Sequence, residues 1–190
     1  MAEETRRRVV AAARRLFTEK GYFSTGTTEI VEAAGVGTRG ALYGHFPDKR
    51  ALFLAVFEQV EVDMGEKVGG TATGETWFER LRQALVSFLD ASLDPEVRRI
   101  ILVDGPAVLG WDTWREIEAR YGLGSIEHML VEGAREGSIS VADPEAMAHL
   151  LLSMVDEAAL FIAHASDPGS ARVSAGASVS ALLSGLVPAS

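Results

Sequence analysis

The stretch from Thr25 to Lys49 constrains this chain more than any other, because it holds two helix starts, a glycine-bearing turn and the cap of a third helix. Thr25 reads as the N-cap of a short helix bearing Ile30, Val31, Ala33 and Ala34. Gly35 stands where a helix C-terminus favours a residue free to take positive φ. Val36-Gly37 then makes a turn, Thr38 caps a second helix reaching Gly44 or Phe46, and Asp48 caps a third. Two short helices joined in this way read as a helix-turn-helix, whose first helix braces the backbone while the second enters the major groove N-terminus first.

The rest of the chain reads as helices too. From Thr5 to Lys20, Val9, Ala13, Leu16 and Phe17 form the i, i+4, i+7, i+8 stripe of an amphipathic helix, with Arg6, Arg7, Arg8, Arg14 and Arg15 largely off it. The helix that Asp48 opens carries Leu52, Ala55, Val56, Gln59 and Val60 and extends to about Val68, before a polar break over residues 69–74. Trp77, Leu81, Leu85, Phe88 and Leu89 mark another. Asp94-Pro95, Asp143-Pro144 and Asp167-Pro168 each set a capping Asp before a Pro suited to the first helical position. Helices are expected over Val97–Val103, Pro106–Tyr121, Ser125–Glu136, Pro144–Ala165 and Gly169–Val187. The fold class is therefore all-α, with about nine helices, no strand signal and no internal repeat. A boundary is placed inside the long helix near residue 53, giving a DNA-binding unit over 1–52 and a body over 53–190.

Composition sharpens this reading through its distribution. The chain carries a net charge of −9, which by itself argues against nucleic acid. Residues 1–52, however, hold nine Lys/Arg against six Asp/Glu, a net of +3, so the remainder carries −12. A small basic unit on an acidic body can present its basic face to phosphate. The longest apolar region, Met147–Ala165, is broken by Asp156 and Glu157 and is not read as membrane-spanning; a cytoplasmic protein is expected. With no cysteine there are no disulfides, thiolate nucleophiles or Cys-based zinc sites.

Residues 5 to 57 resemble the N-terminal domain of TetR-family transcriptional regulators. The family's order is met by Leu16-Phe17, Gly21-Tyr22, Thr25, Ile30, Ala34-Gly35-Val36, Arg39, Leu42-Tyr43, His45-Phe46 and Lys49. Two departures stand out. Five residues separate Val36 from Leu42 where the family pattern has four, the extra one being most simply Gly37. Gly44 occupies a place often filled by His or Tyr, at a cost in helix propensity of roughly 1 kcal/mol relative to Ala. The resemblance implies a ligand cavity between central helices of the body and pairing of two copies through the last two helices. Gly35-Val36-Gly37-Thr38-Arg39-Gly40 also fits the Gly-x-Gly-x-x-Gly dinucleotide fingerprint, with Glu61 about 20 residues on. That motif needs a preceding strand, whereas Thr25–Ala34 is capped as a helix.

The expected DNA-facing set is Thr25, Thr27, Thr38, Arg39, Gly40, Tyr43, His45 and Lys49. Arg39 is the candidate base reader, because a guanidinium donates twice to guanine O6 and N7. Tyr43, His45 and Lys49 are assigned to phosphates, and the threonines offer hydroxyls or helix N-terminal N–H groups, although capping alone accounts for Thr25 and Thr38. Leu42 and Phe46 are assigned to the core. In the body, Trp77, Phe78, Leu81, Phe88, Trp111, Trp114, Tyr121 and His128 are candidate walls of a cavity for an apolar or aromatic effector. Leu150, Leu151, Met154, Ala158, Phe161, Val179, Leu182, Leu183 and Leu186 are the candidate homodimer face. His128, His149 and His164 with Asp156 or Glu157 lack tight ligand spacing, so no metal site, cofactor or catalytic residue is assigned.

The function expected is that of a dimeric repressor of transcription, bound to palindromic double-stranded operator DNA and released by a small molecule. Two other readings are a constitutive DNA-binding protein without effector and an all-helical enzyme. The chain has no Gly-x-Ser-x-Gly, His-Glu-x-x-His or P-loop, which disfavours the enzyme.

Overall fold

The computed structural model describes residues 2–188. Nine helical segments follow one another, with no strand among the described residues. They are α1 (Ala2–Lys20), α2 (Thr27–Ala34), α3 (Arg39–Tyr43), α4 (Lys49–Gly69), α5 (Trp77–Ala91), α6 (residues 95–109), α7 (Trp111–Glu136), α8 (Pro144–His164) and α9 (Pro168–Leu183), the last followed by a 3-10 turn at Ser184–Leu186. Within α6 the chain is α-helical at Pro95–Val97 and Gly105–Leu109 and π-helical across Arg98–Asp104.

Local chemistry fixes most of these ends. The Asp48 carboxylate accepts from Ala51 N at 2.7 Å and starts α4. Asp143 and Asp167 cap α8 and α9 in the same way, each before a proline in the first turn. Thr76 and Glu79 close a reciprocal capping box at the start of α5. Gly35 ends α2 at φ +62, and Gly37 follows at φ +81 in open space, so the additional turn residue is absorbed as a second left-handed step. No strand precedes Gly35, which removes the context that the dinucleotide fingerprint requires.

Three expectations about helix boundaries need correction. Thr25 does not cap α2; Gly26 does, and Thr25 is buried with its hydroxyl donating to Gly21 O at 2.8 Å. The expected helices Pro106–Tyr121 and Ser125–Glu136 are replaced by a break at Gly110 and one continuous α7. At Gly122 any side chain would meet Leu152, whose Cδ1 lies 2.9 Å from an ideal Cβ, so α7 passes close to α8 at this glycine. The segment 97–103 is the middle of α6 rather than a helix of its own. Where the π segment ends, Pro106 has no N–H for the carbonyl five residues before it, that of Ile101, and the Trp114 indole donates to it instead at 3.0 Å.

α1 to α3 and the start of α4 form one core around Phe17, Ile30, Leu42, Leu52 and Phe53, all fully buried. The Phe53 ring meets Phe17 and Tyr22 with centroids 5.5 and 5.2 Å apart. Leu42 and Phe46 lie in that core, as expected. From Phe57 onward α4 packs into the body against α5, α6 and α7. α8 is long and apolar enough to cross a membrane by composition, but here it packs on α5, α7 and α9 and buries Asp156.

Candidate functional site

α3 is short and stands out from the surface. Its cap, Thr38, accepts from Ala41 N at 3.3 Å, while Leu42 anchors it to the core. Arg39 and Gly40 open α3 on its exposed side, and Tyr43 is 46% exposed one turn further on. Thr27, the first residue of α2, and His45, just past α3, are half-buried. These residues share one end of the molecule.

Two members of the expected set point elsewhere. Thr25 is 2% exposed and braces α1 internally, donating to Leu16 O and Gly21 O, so its hydroxyl is unavailable to an outside partner. Lys49 is also engaged within the chain. Its ammonium donates to Tyr22 O at 2.5 Å and lies 4.0 Å from the Tyr22 ring centroid. Burial lowers its pKa, opposed by the nearby Asp104 carboxylate. Neither engagement is legible from the position of these residues in a motif.

The same end of α1 is tied to the body by a set of polar contacts. Arg14 holds Glu96 of α6 through two bonds, at 2.7 and 2.6 Å, and Asp63 of α4 through a third at 2.6 Å. Asp104, buried in the π segment, accepts from Tyr22 N at 2.7 Å. Arg50, one residue into α4, donates to Val108 O and Leu109 O at the end of α6. α6 is therefore fastened at three points to the unit that carries α3.

Behind α6, a cavity of about 290 Å³ lies between α4, α5, α7 and α8. Of the eight expected wall residues, Phe88, Tyr121 and His128 line it. The other five do not. Leu81 and Trp114 are fully buried core, Trp114 with its N–H satisfied by Ile101 O. Trp77 packs edge-on against His128 and under Arg80, and Phe78 packs beside it on the core. Trp111 is 52% exposed and borders an open surface groove with Phe161 and His164. Aromatic type alone did not separate cavity wall from core.

What sequence reasoning missed in the cavity are its acids. Glu61 of α4 and Glu118 of α7 line it, and Asp156 of α8 lies behind them. All three are at most 3% exposed, and each leaves one carboxyl oxygen with no hydrogen-bond partner among the described residues. Burial pushes Glu61 and Asp156 up to about 7 and Glu118 well above the usual carboxylate range; for Glu118 the neighbouring Glu61 and Asp156 add to the rise. Arg115 partly offsets this at Asp156, 3.3 Å away. The signal was present in the sequence: Glu61 interrupts the stripe Phe53, Val56, Phe57, Val60, Met64 on its buried side.

On the outside of α8 and α9, the expected dimer face divides. Leu150, Phe161 and Leu182 are more than half exposed, and Met154 and Ala158 are half-buried between them. Leu151, Val179, Leu183 and Leu186 are buried within the single chain and belong to its own core, which corrects their assignment to a partner surface. Val173, 72% exposed, is a further exposed apolar residue of α9, but nine positions before Leu182 it lies on the opposite side of that helix.

Comparison with known proteins agrees with this architecture. Residues 9–56 match the family model of bacterial regulatory proteins of the tetR family, and residues 78–186 match a tetracyclin repressor-like C-terminal domain. A crystal structure of a TetR-family transcriptional regulator from Pectobacterium atrosepticum is 35% identical, with a TM-score of 0.88 over 99% of this chain and 96% of that one. The transcriptional regulator AcrR of Shigella flexneri is 38% identical over 53% of this chain, and the match spans 47% of that protein's length. The Bacillus subtilis regulator FadR, crystallised with stearoyl-CoA, shares the fold at 20% identity, a TM-score of 0.72 and coverage of 93% and 96% of the two chains. A helix-turn-helix unit joined to a helical body with an internal cavity defines a class of regulator. The chain belongs to the TetR family of transcriptional regulators.

Proposed function

We propose that the protein represses transcription as a homodimer on palindromic operator DNA and leaves it when a small molecule occupies the body cavity. The observation that carries this reading is α4. It begins at the end of the DNA-reading unit with Lys49 and, three turns later, supplies Glu61, Met64 and Val68 to the cavity wall. A change in cavity shape that tilts α4 moves α3 with it. The effector can shift that equilibrium only by the difference in its affinity for the two arrangements.

In this reading Arg39 reads a base and Tyr43, His45 and Thr27 hold phosphates, with Thr38 and Gly40 close to the backbone of the DNA. The working division lies near residue 53 inside α4, between a DNA-binding unit over 1–52 and an effector and dimerisation unit over 53–190. Two copies joined through Leu150, Phe161 and Leu182 would set their α3 helices over half-sites about 34 to 36 Å apart, or a multiple of that. Selection of bound duplexes from a random DNA library, followed by release assays with small molecules, tests the proposal. Recovery of palindromes that small molecules release supports it; tight palindrome binding that no cavity ligand alters would instead favour a constitutive DNA-binding protein.

A further inference from the structure

The buried acids carry an inference about the ligand that rests on the effector reading and makes it more specific. We propose that the cavity takes a cationic amphiphile, a molecule with a compact apolar or aromatic body and one protonated amine, whose ammonium sits against Glu61 and Glu118.

Charge and burial carry the argument. Glu61, Glu118 and Asp156 meet one cation, Arg115, whose guanidinium is already shared between Asp156 and the Ser153 hydroxyl. Full ionisation would leave two carboxylates uncompensated in a buried place, which is costly unless protons or a cation are taken up. The Glu61 and Glu118 carboxyls are neighbours, and each raises the cost of ionising the other, which favours one proton kept between the two. Each also has one buried oxygen with no partner among the described residues, and both residues line the cavity. Acids kept for packing alone would be replaceable by apolar residues of similar volume without loss.

The rest of the wall is the complement of such a ligand. α5 contributes only Ala84, Leu85 and Phe88, and α8 contributes Leu152 and Val155. Tyr121 and His128 of α7 are the other titratable groups on the lining, and Arg115 lies behind Asp156 rather than on the lining. At about 290 Å³ the cavity lies at the small end of ligand pockets, near 300 Å³, and suits a single ring with a short chain. When an ammonium enters, the proton shared by the two carboxyls leaves to solvent, so charge is conserved within the site.

The test uses the full chain and a graded probe set: phenylalkylamines of increasing chain length, the matching phenylalkyl alcohols and the matching phenylalkanoates. Affinity is read by calorimetry in buffers of different ionisation enthalpy, with thermal shift alongside. At least one amine should bind about tenfold or more tighter than its alcohol, with proton release, and the carboxylates should not bind. In the double variant Glu61→Gln, Glu118→Gln, which keeps the shape, the amine should lose its advantage while the alcohol still binds. The proposal is overturned if no amine in the series binds at millimolar concentration, if amine and alcohol bind alike, or if the amine preference survives in the double variant. DNA release is scored separately: an amine that binds as described without changing operator affinity would leave the cation site standing and remove the effector reading.

Discussion

Asp104, buried in the π-helical turn of α6, accepts the backbone N–H of Tyr22 at 2.7 Å, joining the body to the loop that precedes the DNA-reading helices. The bond spans 82 residues of sequence and sits beside Gly21, where an ideal Cβ would lie 3.3 Å from the same carboxylate. π turns are uncommon and often occur at functional sites. Here the turn sets Asp104 against one unit while Trp114 of the other holds its Ile101 carbonyl.

Removing the Asp104 carboxylate should therefore cost stability and coupling together. Asp104→Ala leaves the Tyr22 amide without its partner, a loss of about 1 to 3 kcal/mol in urea unfolding. Asp104→Asn, which retains an acceptor oxygen, should lose less. Both variants should still bind operator DNA, but the DNA affinity of Asp104→Ala should respond less to a cavity ligand. A full ligand response in the alanine variant would remove this contact from the coupling route.

Lys49→Ala should behave differently from a phosphate contact. Because its ammonium serves Tyr22 O and the Tyr22 ring, the variant should lower the melting temperature of the free protein, by the equivalent of about 1 to 2 kcal/mol. An unchanged melting temperature, with a reduced salt dependence of DNA binding, would return Lys49 to the phosphate-contacting set.

Much of the fold was legible because its signals are local. Asp48, Asp143 and Asp167 cap the helices they were expected to cap, Gly35 takes its left-handed turn, and Leu42 and Phe46 fall in the core. The errors arise where tertiary partners decide. Thr25 had the right chemistry for a cap, but α1 offered two carbonyls to its hydroxyl. The gap expected between Tyr121 and Ser125 does not exist: α7 is continuous there and passes close to Leu152 of α8 at Gly122. Trp114 and Leu81 share the apolar character of cavity walls, and only the placement of neighbouring helices puts them in solid core. The cavity's acids were visible as charges within apolar stripes, Glu61 in α4 and Asp156 in α8, but their meeting with Glu118 across three helices is a product of topology.

The pH dependence of the ligand-free protein follows from that meeting. Folded-state values near 7 for Glu61 and Asp156 lie above their ordinary values of 4.5 and 3.8. Between those limits the folded chain holds protons that the unfolded chain has released, so stability falls as pH rises through the window. Below the ordinary values both states are protonated and the effect vanishes; above the folded values the loss is complete. The urea midpoint should drop between about pH 5 and pH 8, by on the order of a few kcal/mol in unfolding free energy. Glu61→Gln with Glu118→Gln should make the profile shallower and leave the share of Asp156, whose rise comes from its own burial; an equally steep profile in that variant would place the titration elsewhere.

Phe161→Glu and Leu182→Glu should separate dimer from monomer without unfolding the chain, since both side chains are exposed in the single chain. Sedimentation should show a shift toward the monomer mass, and operator affinity should fall with it. Leu183→Glu, by contrast, puts a charge where the chain is 1% exposed and should unfold it. Dimers of undiminished stability in both surface variants would mean that copies associate through another face.

The central claim, that α3 reads DNA sequence through Arg39, is tested most directly by measuring affinity for a selected operator and all its single-base variants with the wild-type chain and with Arg39→Ala. The wild type should discriminate at symmetric positions of a palindrome, and Arg39→Ala should lose about 1 to 3 kcal/mol on the best sequence while discrimination collapses at one base pair per half-site. An equal loss on every variant, with the pattern of base preference intact, would contradict the claim and reduce Arg39 to a phosphate contact.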